Sequence, residues 1–175
     1  SFDEENYLLM LTRVGYIKRT PLSAFSKIRA NGLIAISLEE GDALNWVRLA
    51  ESDDSVLIGS KNGMTIHFRL NESELRSLGR TARGVRSMSL KSGDSLVSMD
   101  VLSTELADRV DKSEEESLVD ESLVSEGPWV LVASASGLGK RVPVTQFRLQ
   151  KRAGMGLRAI KFRKDGDKLV GLRVL

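Results

Sequence analysis

A motif that recurs three times constrains the fold of this chain more than any other feature of its sequence. Each copy has a short apolar run, a turn glycine, a second short run and, later, a Gly-Asp pair. The turn glycines are Gly15, Gly63 and Gly137, and the pairs are Gly41-Asp42, Gly93-Asp94 and Gly166-Asp167. One such unit cannot bury both faces of its own strands, so tandem copies are expected to stack. We expect blade-like repeats over 1–52, 53–102 and 127–175, and an insertion over 103–126.

The short runs predict β-strands. They are rich in Val, Leu and Ile and lie over residues 7–12, 43–49, 55–59 and 129–133. Asn62-Gly63 is typical of a tight hairpin turn. We therefore expect an all-β fold, a β-propeller-like array of about three four-stranded blades that forms an incomplete ring. A single β-barrel or sandwich with chance similarity between its hairpins is the alternative.

The charges are distributed unevenly along the chain. The formal net charge is +2, yet the stretch from Ser103 to Glu126 holds nine acids and two bases. The predicted repeats are therefore basic, and the insertion between the second and third repeats is acidic. Cysteine is absent, which excludes disulfides and thiolate metal sites and fits a reducing compartment. The sequence has no apolar run long enough to predict a transmembrane helix.

Three stretches contain bases but no acid, namely residues 8–38, 75–93 and 138–164. They fall in the same part of each repeat, so stacking would align them as one positive stripe along an edge. Such a stripe suits the phosphates of a polyanion, which it binds with release of counterions. The candidate DNA-binding residues are Lys18, Arg19, Arg29, Arg80, Arg83, Arg86, Lys140, Arg141, Lys151, Arg152 and Arg158.

The sequence favours duplex DNA that is held without reading its bases. It has no zinc-finger, basic-zipper or helix-turn-helix pattern, and phosphate contacts position a duplex without specifying its sequence. Aromatic residues make up 5% of the chain, too few to favour a stacking platform for single strands. Curved duplex is the better fit to a rim of cations. A propeller that binds another protein is the competing hypothesis.

Three segments of the chain are similar to motifs of one known family. Residues 136–141 (SGLGKR) are similar to an Asn-Gly-Tyr-Gly-Lys-Arg hairpin, and residues 15–22 (GYIKRTPL) with Phe25 resemble the opening of another blade. Residues 83–86 (RGVR) resemble a Thr-Gly-Val-Arg pattern. Together they resemble the C-terminal domain of the A-type subunits of DNA gyrase and topoisomerase IV, and the resemblance covers nearly the whole chain apart from the acidic insertion.

This resemblance implies a β-pinwheel, in which outer strands are exchanged between blades and the perimeter wraps duplex DNA to support negative supercoiling. It implies as partners the gyrase B-type subunit together with the rest of the A-type subunit, and self-association through the edges of an incomplete ring. The implied location is the bacterial cytoplasm and nucleoid, or an organelle such as the chloroplast. The family's wrapping motif has its nearest match in residues 150–156 (QKRAGMG), where Ala153 replaces a glycine and Met155 a base. There, Gly154 and Gly156 either let backbone amides approach phosphate or relieve a strand bend.

No catalytic role is expected for this chain. In the family the DNA-cleaving tyrosine lies in a separate N-terminal region, and no phosphate-binding loop for ATP is present. His67 has no second histidine or cysteine with which to hold a metal, so a structural or phosphate-facing role is expected. Asp42, Asp94 and Asp167 recur once per repeat, which suits turns better than a paired-carboxylate site. We expect no cofactor, and rank a hydrolase or metalloenzyme third among the functions.

Overall fold

In a computed structural model, residues 6–115 and 127–175 of the chain are described. The first five residues and the second half of the predicted insertion, residues 116–126, lie outside the described part. The strands are β1 Asn6–Thr12, β2 Tyr16–Pro21, β3 Leu44–Glu51, β4 Ser55–Ser60, β5 Met64–Arg69, β6 Val85–Arg86, β7 Leu96–Leu102, β8 Trp129–Ser134, β9 Gly139–Pro143, β10 Leu157–Arg158 and β11 Leu169–Val174. One α-helix, α1, spans Thr104–Glu115, and short 3₁₀ helices span Leu22–Phe25 and Val144–Gln146.

The strands form three antiparallel sheets, one for each predicted repeat, which we call blades 1, 2 and 3. Their strand orders are β3-β1-β2-β6, β10-β5-β4-β7 and β11-β8-β9. The predicted all-β array of stacked blades is therefore confirmed. Within the described residues, the third sheet has three strands rather than the expected four.

The outermost strand of a blade comes from the next repeat along the chain. In blade 1, β6 of the second repeat pairs with β2, with Tyr16 opposite Arg86. In blade 2, β10 of the third repeat pairs with β5, with Met64 opposite Arg158. The exchange of outer strands expected of a pinwheel is thus present twice.

Two glycines permit this exchange. Gly84 and Gly156 immediately precede β6 and β10 and have positive φ values of 102° and 78°. A Cβ on Gly84 would lie 2.5 Å from the carbonyl oxygen of Ile17, and one on Gly156 would lie 2.4 Å from that of Thr65. Any side chain would therefore push the incoming strand off its acceptor. This close approach accounts for Gly156 by packing against Thr65, which is neither of the two roles considered for it.

The hydrophobic core lies between the blades, as the burial of β4 on both of its faces shows. All six residues of this strand are buried. Val56 and Ile58 belong to a cluster that includes Leu9 of blade 1, whereas Leu57 belongs to a cluster with Val130 of blade 3. Successive side chains of a strand point to opposite faces, so the middle blade is covered on both sides by its neighbours. Its apolar run is continuous rather than alternating for this reason.

The innermost strands of the three blades are β3, β7 and β11, and one carboxylate joins them. Asp100 on β7 accepts a hydrogen bond from the backbone N–H of Val174 at 2.9 Å. Its oxygens also lie 3.5 Å from Nε of Arg173 on β11 and 3.8 Å from Nε of Arg48 on β3. The three charged residues pair with equivalent residues of the adjacent strands, Leu9, Leu57 and Leu131. They therefore form an alternating row across the blades.

The first half of the acidic insertion folds against the body as α1. Ala107 and Val110 are buried, and Asp54 accepts a hydrogen bond from the backbone N–H of Thr104 at 3.0 Å. Asp108 forms an ion pair with Arg69 at 2.5 Å. Within the described residues, no helix is long and apolar enough to cross a membrane.

Replacing Asp100 should weaken the contacts between blades. D100A removes the acceptor of Val174 N–H and leaves two arginines without their shared counterion, so the free energy of unfolding should fall by about 2 kcal/mol. D100N keeps an acceptor and should cost about half as much. Urea denaturation of both variants measures this, with D165N on an exposed turn as the control. An unchanged midpoint for D100A would contradict the assigned role.

Candidate nucleic-acid interface

The recurring aspartates close the hairpins of their own blades. Asp94 accepts hydrogen bonds from Asn62 N–H at 3.0 Å, from Ser95 N–H at 2.9 Å and from Ser60 Oγ at 2.7 Å. Asp167 repeats the arrangement in blade 3, and the hydroxyl of Ser136 at 2.6 Å lowers the pKa of that carboxyl to about 2. The turn role expected for these residues is confirmed. Among residues 6–115 and 127–175, no group of three His, Cys, Asp or Glu side chains could hold a metal ion.

Four of the eleven predicted cations lie on the two segments that lead into the exchanged strands. We call residues 79–84 connector 2 and residues 151–156 connector 3. Each leaves its own repeat, crosses to the preceding blade and continues into β6 or β10. Connector 2 carries Arg80 and Arg83, and connector 3 carries Lys151 and Arg152. The exchange therefore places these bases at the outer edges of blades 1 and 2.

Arg86 and Arg158 hold the same position on neighbouring blades. Each is the second residue of an outermost strand, and each faces the residue that follows a turn glycine on its acceptor strand. Both are exposed, and within the described part of the chain neither side chain has a hydrogen-bond or ion-pair partner. At these two residues, bases of successive repeats therefore occupy equivalent positions on the outer edges of blades 1 and 2.

Other predicted bases on the connectors are partly engaged within the protein. The Arg152 Nε donates to the carbonyl of Glu74 at 2.7 Å, and its Nη1 donates to the carbonyl of Arg86 at 2.8 Å. Arg83 forms an ion pair with Glu39 and lies over the ring of Tyr16 at 4.3 Å from the centroid. These contacts hold connector and strand in place, and the Arg83 side chain remains 46% exposed.

Lys18 and Arg19 do not lie on the surface, which corrects their assignment to it. Lys18 is fully buried, and its Nζ donates to the carbonyls of Gly79 and Arg80 at 3.0 and 2.6 Å. Burial, together with the smaller effect of the nearby charge of Arg80, lowers the pKa of Lys18 to about 8. Arg19, 1% exposed, donates to Glu72 at 2.5 Å and lies 4.5 Å from the ring centroid of Tyr7. Neither side chain can reach a phosphate.

The remaining predicted bases are exposed but unevenly placed. Arg29 lies in the segment of the first repeat that corresponds to a connector, and Lys151 lies at the start of connector 3. Lys140 and Arg141 lie on β9, the free edge of blade 3. Sequence reasoning omitted Lys161 and Arg163, which with Lys140 line a cavity of about 390 Å³. Both residues belong to the acid-free stretch over 138–164, so the distribution of charge along the sequence could have identified them.

His67 has a structural environment. It is 1% exposed, and its Nδ1 lies 2.6 Å from the carbonyl oxygen of Phe147. Because a carbonyl only accepts, Nδ1 carries the proton, and Nε2 accepts from the hydroxyl of Ser55 at 2.7 Å. Burial lowers the pKa of His67 to about 4, against a smaller opposing effect of the Phe147 carbonyl. The ring therefore links the second repeat to the third as a neutral group.

The fold and the surface together define a class of protein. Three antiparallel blades exchange their outer strands, and the exchanged segments carry bases on the perimeter. This is a pinwheel-type repeat domain with a cationic rim.

Comparison with known proteins shows the family. The sequence model described as DNA gyrase C-terminal domain, beta-propeller, matches residues 6–51, 54–103 and 128–175. The chain therefore belongs to this family of gyrase C-terminal domains. It is 53% identical to the A subunit of DNA gyrase from Synechocystis sp. over 99% of its length, and 43% identical to the chloroplastic/mitochondrial A subunit of DNA gyrase from Arabidopsis thaliana over 99%. It spans 21% and 18% of these relatives, so about a fifth of their length.

Solved structures show the same fold. The crystal structure of the C-terminal domain of DNA topoisomerase IV aligns with a TM-score of 0.77 at 25% identity, over all of this chain and 48% of the other. The E. coli ParC C-terminal domain aligns with a TM-score of 0.68 at 14% identity, over 99% of this chain and 63% of the other. The neighbours thus extend well beyond the region that matches this chain.

Acid should destabilise the protein through His67. Its pKa is about 4 when folded and about 6.5 when unfolded, so between these values the unfolded chain binds more protons. The contribution to stability is complete above pH 6.5 and falls by up to about 1.4 kcal/mol per pH unit as the pH drops toward 4. Urea denaturation at pH 7, 6 and 5, compared with H67N, isolates this slope. Parallel curves for the two proteins would refute it, and NMR titration of this single histidine gives the folded pKa directly.

Replacing Ala153 with glycine should stabilise the folded protein. It has a φ of 67°, a conformation that costs an alanine about 1–2 kcal/mol. A153G should raise the free energy of unfolding by about 0.5–1 kcal/mol, after the greater freedom of glycine in the unfolded chain is subtracted. Thermal and urea unfolding measure the change. A135G, at a residue without positive φ, should instead destabilise.

Proposed function

We propose that this chain holds duplex DNA along its perimeter as a non-catalytic part of a gyrase A-type subunit. The observation that carries the proposal is the matched placement of Arg86 and Arg158 on the outermost strands of neighbouring blades. Repeated cations on successive blades form a track that a phosphate backbone can follow. Phosphate contacts of this kind hold DNA irrespective of its sequence and stabilise a bend.

The proposed DNA-facing set differs from the sequence prediction. It keeps Arg29, Arg80, Arg83, Arg86, Lys151, Arg152 and Arg158. It omits the buried Lys18 and Arg19, and also the exposed pair Lys140 and Arg141 on β9. Arg152 contributes its charge while remaining bonded to the backbone, which fixes its position before DNA arrives. Ala153 and Met155 depart from the wrapping motif, so this segment supports DNA binding as one contact among several.

In the longer protein, DNA held on this rim would support negative supercoiling, with strand cleavage performed by a separate region. The partners would then be the gyrase B-type subunit together with the remainder of the A-type subunit. The proposed location follows the DNA, in a bacterial nucleoid or in a chloroplast or mitochondrion. Self-association is a further proposal, supported by the exposed Ile28 and Ile34 in a first-repeat segment that corresponds to an exchanged strand.

Loss of the matched arginines should weaken DNA binding. Fluorescence anisotropy with a labelled duplex over a KCl series should show affinity that falls as salt rises. The variant R86A/R158A should bind about tenfold more weakly and lower the slope of log K against log salt by about two. The matched control R109A/K112A removes two charges from α1 and should leave the affinity within about twofold. Equal losses in both variants, or binding unaffected by salt, would contradict the proposal.

A protein-binding propeller is the competing function, and the same variants distinguish it. If the rim binds protein rather than DNA, R86A/R158A keeps whatever weak affinity for DNA the wild type shows. Circular dichroism and urea midpoints equal to those of the wild type ensure that the comparison concerns the surface and not the fold.

A further inference from the structure

Lys18 is a buried cation that binds carbonyl oxygens and no carboxylate. Its side chain is fully buried, and its Nζ donates to the carbonyls of Gly79 and Arg80, where connector 2 begins. Among the described residues, no acidic side chain forms an ion pair with it. Two carbonyl dipoles offset only part of the cost of removing an ammonium group from water. The fold therefore leaves the charge of Lys18 without a counterion.

The charged groups around Lys18 do not neutralise it. Arg80 is the charge that acts on it, and it carries the same sign. The acids of the neighbouring elements pair with other arginines, Glu72 with Arg19 and Glu39 with Arg83. Strand β1, which lies beside β2, and residues 34–37, which contact connector 2, contain no carboxylate or amine. An external anion beside Arg80 would therefore stabilise both positive charges.

Blade 2 does not use a lysine at the equivalent position. The residue three places after the turn glycine is Lys18 in blade 1 and Ile66 in blade 2. Ile66 is fully buried, and its Cδ1 lies 3.8 Å from the position of a Cβ on Gly154 in connector 3. Connector 3 is held by its own Arg152, which donates to two backbone carbonyls and stays charged at all relevant pH values. Strand exchange therefore does not require a buried ammonium group, and the titratable anchor belongs to connector 2.

We propose that Lys18 strengthens DNA binding at blade 1 without touching DNA, and that binding there is linked to the uptake of a proton by Lys18. It is a positioning residue that acts through connector 2. Its ammonium group holds the first carbonyls of the segment that brings Arg80 and Arg83 to the rim, and its charge adds to that of Arg80. Salt screens a buried charge only weakly, so a phosphate at Arg80 would still be attracted by Lys18. This inference rests on the proposed function.

The DNA affinity should depend on pH near 8. The pKa of Lys18 is about 8, lowered mainly by burial and less by Arg80. Nearby phosphate raises this pKa, so the complex binds more protons than the free protein, and affinity falls as the pH rises through this range. If DNA stabilises the charged form tenfold, affinity should fall about fivefold from pH 7 to pH 9, and binding at pH 8 should take up about 0.4 proton. Ordinary lysines have a pKa of about 10.4 and stay mostly charged over this range.

A pH series of DNA binding supplies the first test. Fluorescence anisotropy with a labelled duplex at constant ionic strength compares the wild type, K18Q and K151Q from pH 7 to pH 9. K18Q keeps an N–H donor without a charge, so its profile should lack the decrease attributed to Lys18. The matched control K151Q removes an exposed lysine from connector 3. It should bind about two- to threefold more weakly at every pH and keep the wild-type profile.

The N-terminal amine titrates in the same pH range in all three proteins, so the difference between their profiles isolates Lys18. If Lys18 only stabilised the fold, K18Q would lose affinity by the same factor at every pH. Parallel profiles for the wild type and K18Q would therefore overturn the proposal.

NMR titration of the wild type supplies the second test and needs no variant, so it decides the question even if K18Q does not fold. The ¹³Cε shift of Lys18 reports the pKa of its amine in the free protein and in the complex saturated with duplex. The pKa should be higher in the complex, and an unchanged pKa would overturn the proposal. Absence of salt-dependent binding at pH 7 would refute the proposed function and this inference together. An unchanged pKa with intact binding would refute this inference alone.

Discussion

The exchange of the outermost strand between successive repeats is the constraint on which the rest of the structure depends. Because β6 and β10 each complete the blade before their own, each four-stranded sheet among the described residues combines strands of two repeats. The two glycines that precede these strands allow the backbones to meet, and the packed clusters on both sides of β4 follow from blades held in sequence. The fold is therefore cooperative across repeats, as nearest-neighbour coupling in stacked proteins requires.

The same exchange determines what a positive charge does. Bases on the segment that crosses between blades are carried outward, where Arg86 and Arg158 occupy matched positions. Bases on the strand that receives the segment are covered by it, as Lys18 is. A lysine in a basic stretch can thus bind backbone carbonyls and stabilise the fold, or lie in solvent and attract phosphate. The difference depends on a partner strand that is distant in the sequence.

Much of the fold could be predicted from the sequence because it is encoded locally. Apolar runs, turn glycines and Gly-Asp pairs predict β1, β4, β8 and the hairpins, and the structure confirms them along with the turn role of Asp94 and Asp167. The burial of Lys18 and Arg19 could not be predicted, because the order of charges along the sequence does not show which strands pair with each other. The hydrogen bond from His67 to Phe147 joins residues from different repeats and escaped prediction for the same reason. Strands and turns could thus be predicted from neighbouring residues, whereas the pairing of strands from different repeats could not.

The row formed by Arg48, Asp100 and Arg173 has a consequence for the geometry of larger assemblies. The sign of the charge changes from each blade to the next along the innermost strands. A blade added at either end would find an arginine facing it, and an acidic residue at the equivalent position would continue the pattern. An alternating sequence of two signs can close on itself without like neighbours only when it has an even number of members. A ring that kept this pattern throughout would therefore contain an even number of blades.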